Sequence, residues 1–349
     1  MGERTIHPFR DALFRIYNIQ ARFALCFPAF ALALLIIIHL PVTAQNNSAA
    51  GERDRMSKNF RAAEPDEDLL RTKTRLVTLD VSVTDSANIP IGGLTRDNFI
   101  VLEDKIQQQI EYFRESDEPA SIAILIDTSS SMEGNERRTQ ETLRQFIQSS
   151  HPDDEYFLLT FSTRLSVVTE NADAEEMSRH LSLMHTDGNT ALYDGVAKGI
   201  EKLSQSRHRK RALLIVSDGE DNASRTSWKD LKERIREAGV VIYAVSLTGE
   251  FCGPVCRRIG FLTLRPLTEM TGGKAFFPDK PADFEEAFAQ IAMTLRRQYS
   301  IGYSPGNEDF NGKWRKVKVR VQNIHDRVVI RTRDGYYAIT EEKPKVVKK

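Results

Sequence analysis

Ser121-Ile122-Ala123-Ile124-Leu125-Ile126-Asp127-Thr128-Ser129-Ser130-Ser131 is the stretch on which the fold turns. An apolar run with no polar alternation marks a strand buried on both faces, the signature of a central strand in a parallel sheet. The run ends abruptly in a carboxylate followed by hydroxyls. A strand that stops at Asp127 projects Asp127, Ser129 and Ser131 at the carboxyl edge of the sheet, where open α/β folds bind ligands. The chemistry offered there is oxygen only, with no imidazole or thiolate alongside, which suits a hard divalent cation. A plainer role also fits: an aspartate at a strand end caps the next helix or closes a turn.

Two later stretches extend the pattern. Gly188-Asn189-Thr190-Ala191-Leu192-Tyr193-Asp194-Gly195 is a loop with a threonine at its centre, and Leu213-Leu214-Ile215-Val216-Ser217-Asp218-Gly219 is a second apolar strand ending in an aspartate. With Asp127-x-Ser129-x-Ser131 they resemble, in the same order, the three parts of the metal-ion-dependent adhesion site of von Willebrand factor type A domains. The resemblance runs roughly over 119–297. It implies that Ser129 and Ser131 bind a cation directly through their hydroxyls, Thr190 directly in the ligand-competent state, and Asp127 and Asp218 mostly through water. The implied cation is Mg²⁺, with Mn²⁺ or Ca²⁺ able to substitute. Neutral direct ligands leave its charge incompletely neutralised, so the implied partner is a protein that supplies an Asp or Glu carboxylate. Asp194 is expected to support its loop or cap a helix, and Asp221 to face solvent.

The rest of the chain is organised around this core. Helical spacing over 137–149, 172–184, 191–203, 228–238 and 281–297 alternates with strands at 156–161, 165–169, 211–216, 240–247 and 274–277. That order predicts an α/β fold, a doubly wound, mostly parallel, Rossmann-like sheet over 119–297. The flanks read as β: alternation from Val77 to Thr84, then strands at 99–104 and 110–113, and after the core at 299–303, 314–321 and 328–332. The segments 72–118 and 298–340 are expected to pair into one small β-sandwich, since their exposed edges need partners. Val-Leu-Glu-Asp at 101–104 and Arg333-Asp334-Gly335-Tyr336-Tyr337 resemble a bacterial group of type A domain proteins first described in Acidobacteria. At the amino end, Arg4, Arg10, Arg15 and Arg22 precede an almost wholly apolar run from Phe23 to Leu40. Residues 1–44 are therefore read as a signal peptide or an uncleaved membrane anchor, placing the remainder outside the cytoplasm, secreted, periplasmic or facing the periplasm. Residues 45–71 read as a flexible linker and 341–349 as a disordered tail.

Composition narrows the function. Lys+Arg and Asp+Glu are equal at 49 each, so no overall positive field draws nucleic acid. Membrane contact is expected only through the amino-terminal segment. The three cysteines are too few for a disulfide framework. Cys252 and Cys256, placed in a loop after a strand, form a local disulfide, stay as free thiols, or supply half of a metal site. The seven histidines are scattered without metal-ligand spacing. With no phosphate-binding G-x-x-x-x-G-K-[ST] loop and no general base beside the oxygen donors, the chain reads as a non-enzymatic binding module. The alternatives are a subunit of a metal-dependent enzyme assembly and a scaffold stabilised by its metal.

Overall fold

The computed structural model describes residues 76–338 apart from 133, 135, 173, 182–187, 248–253 and 325–326. The expected leader (1–44), the expected linker (45–71) and the expected tail (341–349) lie outside the described residues. Four strands come first: β1 (Val77–Thr84), β2 (Phe99–Glu103), β3 (Ile106–Gln108) and β4 (Ile110–Ser116). The α/β part follows as β5 (Ala120–Asp127), α1 (Glu136–Ser149), β6 (Glu155–Phe161), β7 (Leu165–Ala172), α2 (Ala174–Leu181) and α3 (Leu192–Ser204). It continues as β8 (Lys210–Ser217), α4 (Trp228–Ala238), β9 (Val241–Ser246), α5 (Pro254–Glu269), β10 (Ala275–Phe276) and α6 (Pro281–Arg296). The last strands are β11 (Gln298–Tyr303), β12 (Trp314–Val321), β13 (Val329–Arg331) and β14 (Gly335–Tyr337).

The central sheet has the order β10-β9-β8-β5-β6-β7 and is parallel except where β6 meets β7. Every residue of β5 is buried. Ile122, Ile124 and Ile126 share an apolar cluster with Leu143 and Phe146 of α1 and Phe288 of α6. Ala123 and Leu125 share another with Val196 of α3 and Leu231 of α4. Side chains still alternate across the strand, but both faces are dry, so the sequence shows no alternation. Each buried Ile or Leu contributes about 1.5–3 kcal/mol. Helix α3 approaches the sheet through bare backbone, because a Cβ on Gly199 would lie 2.7 Å from Leu213 Cδ1.

Helix α4 is bounded by its own sequence: Ser227 accepts the Asp230 N–H at its start, and Gly239 takes the left-handed conformation (φ 60°) at its end. Ser227→Ala should cost about 1 kcal/mol in denaturant unfolding, leaving any metal response unchanged.

Strands that precede and follow the α/β part in sequence interleave with one another. β1 pairs antiparallel with β11, Val77 opposite Tyr303 and Val81 opposite Tyr299, in a sheet of order β13-β1-β11-β4. A second sheet runs β14-β12-β2-β3. Leu79, Val81 and Ile301 of the first share one cluster with Val101, Val317 and Val319 of the second. Beside it lies a buried ion pair, Arg315 Nη1 to Glu103 Oε1 at 3.1 Å, with side chains 4% and 3% exposed.

Several elements depart from the sequence expectation. β3 and β14 are additional strands, each three residues long. The helix expected over 172–184 begins only at Ala174, because β7 runs on until Ala172 pairs with Tyr156; the expected residues 182–184 lie outside the described ones. Helix α5 was not foreseen, and it places Cys256 in a helical first turn rather than in a loop.

Candidate metal centre

The chain leaves β5 for β6 on one side and later reaches β8 on the other, so the sheet changes direction between β5 and β8. Such a switch point opens a crevice at the carboxyl ends of the strands. Asp127 ends β5 and Asp218 directly follows β8. Asp127, Ser129 and Thr190 are each 2% exposed, and Asp218 is 3% exposed.

Hydrogen bonds fix the three loops to one another. Asp127 Oδ1 accepts the Ser129 N–H at 2.9 Å, and Asp127 Oδ2 accepts the Ser217 hydroxyl at 2.6 Å. Ser217 Oγ in turn accepts the Gly219 N–H at 3.0 Å, and Asp218 Oδ1 accepts the Glu220 N–H at 3.0 Å. The Ser130 N–H reaches the Gly188 carbonyl at 3.1 Å. The Thr190 N–H donates to Asn222 Oδ1 at 2.9 Å, while the Thr190 carbonyl accepts the N–H groups of Asn222 and Ala223, both at 2.9 Å. Ser131 lies in the short helical turn Ser130–Met132, and its side chain is outside what is described.

Burial pushes the Asp127 carboxyl up to about 6. Hydrogen bonds from Ser129 and Ser217 pull the other way, and the neighbouring Asp218 charge adds to the rise. Two buried carboxylates thus share one dry sheet edge. Among the described residues no three His, Cys, Asp or Glu side chains gather as a metal cluster. A cation here would therefore rely on hydroxyls and water, with carboxylates behind them. That donor set fits a hard divalent ion, which prefers oxygen and keeps part of its hydration. Ser129 and Thr190 would hold it through their hydroxyls, Asp127 and Asp218 would act mostly through bound water, and the ion would supply positive charge to an incoming carboxylate.

Other residues behave differently from their sequence expectation. Asp221 does not simply face solvent: its Oδ1 accepts the Tyr193 N–H at 3.2 Å and the Ser224 hydroxyl at 2.5 Å, tying the loop after β8 to the start of α3. Asp194 supports a loop, accepting the N–H groups of Arg225 and Thr226 at 3.0 and 2.9 Å. Cys252 lies outside the described residues, as does the Cys256 side chain, and with them the expected disulfide. Ser217 and Asn222 also hold the site together, though the sequence assigns neither a role. Serine next to Asp218 was a visible signal for the first; nothing local marked the second. Gly260 of α5 was also missed, and a Cβ there would stand 2.4 Å from the Asp218 carbonyl, so only glycine lets α5 pack on this loop.

Ser217→Ala removes the hydroxyl that holds Asp127 Oδ2. Mg²⁺ affinity should fall about 10–100-fold by calorimetric titration, with the far-UV spectrum unchanged.

Parts of the chain are similar to known proteins. Over 134 residues the chain is 27% identical to inter-alpha-trypsin inhibitor heavy chain H3 of Mus musculus, a match spanning 34% of this chain and 15% of that protein. Among solved structures, a von Willebrand factor type A protein from Catenulispora acidiphila aligns with a TM-score of 0.44 and 12% identity, covering 77% of this chain and 75% of that one. Proximal thread matrix protein 1 from the mussel byssus, whose adhesion-site motif is occupied by zinc, aligns at 0.44 with 15% identity, over 55% of this chain and 50% of that one. The model of the von Willebrand factor type A domain matches residues 121–290, the segment that holds β5, the Thr190 loop and the end of β8. This part of the chain belongs to the von Willebrand factor type A domain family.

Proposed function

We propose that this is an exported, non-enzymatic binding protein that captures an acidic residue of another protein through a divalent cation held by Asp127, Ser129, Ser131, Thr190 and Asp218. Domains of the family are known for protein–protein interaction and for metal binding at an adhesion site. The observation that carries the reading is the pair of buried aspartates, Asp127 and Asp218, brought to one sheet edge beside the buried hydroxyl residues Ser129 and Thr190. Mg²⁺ is the proposed ion, on the strength of its oxygen preference and reluctance to dehydrate. A carboxylate reaching such an ion in a desolvated interface would be the central contact. Export rests on the arginine-flanked apolar run of residues 1–44. No helix among the described residues is long and apolar enough to cross a membrane.

The test is the water-proton relaxation of protein-bound Mn²⁺ during titration with acetate and with acetamide. Acetate should displace metal-bound water from the wild type, acetamide should not, and Asp127→Ala should show no bound Mn²⁺. Equal responses to the two probes would contradict a carboxylate-capturing metal.

A further inference from the structure

At the opposite edge of the central sheet, where β9 begins, a cavity of about 160 Å³ lies at the seam between the α/β part and the interleaved β strands. Arg209, Arg236, Arg333, Asp80, Asp334 and Trp314 are among its lining residues. The arginines come from different parts of the chain: Arg209 precedes β8, Arg236 is in the last turn of α4, and Arg333 precedes β14.

The two inner guanidinium groups are held in place but incompletely used. Arg236 lies over the Trp314 ring, 4.4 Å from its centroid, and its Nη1 is 3.8 Å from Glu233 Oε1. Arg333 donates through Nη2 to the Thr78 carbonyl at 2.9 Å and lies 5.6 Å over the Tyr336 ring. The Nε–H of both is buried and has no acceptor among the described residues. Leaving a charged donor buried and unpaired is costly. The lining carboxylates act on these groups through their charge, Asp80 on Arg333 and Asp334 on Arg236, but neither accepts the Nε–H. Asp80 takes the Ser300 hydroxyl at 3.1 Å and stands 4.0 Å from Arg209 at the exposed side. Burial pushes the Asp334 carboxyl up, against the lowering pull of Arg236, and burial pushes the Arg333 guanidinium down.

We propose that this cavity binds a small tetrahedral oxyanion, of the class of inorganic phosphate and sulfate, between Arg236 and Arg333. The planar guanidinium fork matches such oxygens in pairs, and stacking on Trp314 presets the orientation of Arg236. Size agrees: at about 30 Å³ per water, the cavity holds roughly five waters, or one oxyanion with a few of them. Because Arg236 belongs to the α/β part and Arg333 to the β strands, the bound anion would fasten the two together.

The experiment is calorimetric titration of inorganic phosphate, and separately sulfate, into the full chain in chelator at constant ionic strength, with chloride as control. One saturable site is expected in the wild type and, with unchanged affinity, in Asp127→Asn, which separates this site from the metal edge. Arg236→Lys keeps the charge but removes the Nε–H fork and should weaken phosphate binding tenfold or more, as should Arg236→Met. The conservative lysine variant decides the matter if the methionine variant does not fold. A response matched by chloride, or unchanged in Arg236→Lys, overturns the proposal: the cavity then holds water only.

Discussion

Asp127→Asn is expected to be at least as stable as the wild type in chelator, and blind to divalent cations. In the metal-free domain the Asp127 carboxyl is pushed from the ordinary 3.8 to about 6, mainly by burial. A raised carboxylate value means that ionisation opposes folding: the cost is fully present above pH 6 and vanishes as pH falls below 3.8. Asparagine removes that charge at neutral pH. Its Oδ1 can still accept the Ser129 N–H, and its amide can donate to Ser217 Oγ once that hydroxyl turns away. The expected gain is about 1–3 kcal/mol, scaled from 1.36 kcal/mol per pKa unit and reduced by imperfect hydrogen bonding. Thermal melts at pH 7 should show the variant equal to or above the wild type in chelator. Adding Mg²⁺ should raise only the wild type, since binding to the native state alone adds stability by mass action. Loss of Mg²⁺ affinity in the variant should exceed 100-fold. A variant that melts far below the wild type in chelator would mean that Asp127 is a structural cap rather than part of a charge-bearing site.

The second large effect lies away from the metal. Glu103→Ala should destabilise the β strands by about 3–5 kcal/mol, because it leaves the Arg315 charge buried without its partner. Glu103 Oε1 accepts Arg315 Nη1 at 3.1 Å, and its Oε2 accepts the hydroxyls of Tyr303 and Tyr336, both at 2.8 Å. Arg315 also donates to the carbonyls of Asn307 and Asp309, each at 2.7 Å. Removing the carboxylate therefore leaves three groups, Arg315, Tyr303 and Tyr336, without their acceptor at once. Glu103→Ala combined with Arg315→Met should recover part of the loss, since no unpaired charge remains. Denaturant unfolding of the single and double variants measures this directly, and Mg²⁺ affinity should stay within a few-fold of the wild type.

Much of the core was legible because local pattern and tertiary need coincide there. Ile122 to Ile126 must be buried on both faces, and an unbroken apolar run has few other uses. Ser227 and Gly239 bound α4 by side-chain capping and by left-handed backbone, both local properties. Helix α5 was not legible, for physical reasons. Ile259, Phe261 and Leu262 are exposed while Leu264 and Leu267 are buried, so its apolar residues do not fall on one face, and Pro266 lies inside it. Strands of three residues such as β14 carry too little pattern to stand out. At the site, the aspartates and Thr190 were marked by their positions at strand ends and in a glycine-led loop. Asn222 acts only because the loop after β8 folds back onto Thr190, and Glu103 only because residues two hundred or more positions later pack on it. Such contacts exist in the folded chain and leave no trace in local sequence.

The most direct measurement is calorimetric titration of Mg²⁺ into the metal-free protein, beside Asp127→Asn. The account predicts one saturable site in the wild type, absent in the variant, with a matching rise in melting temperature. No heat and no thermal shift from a folded wild-type protein would contradict it, and the sheet edge would then be a metal-independent surface.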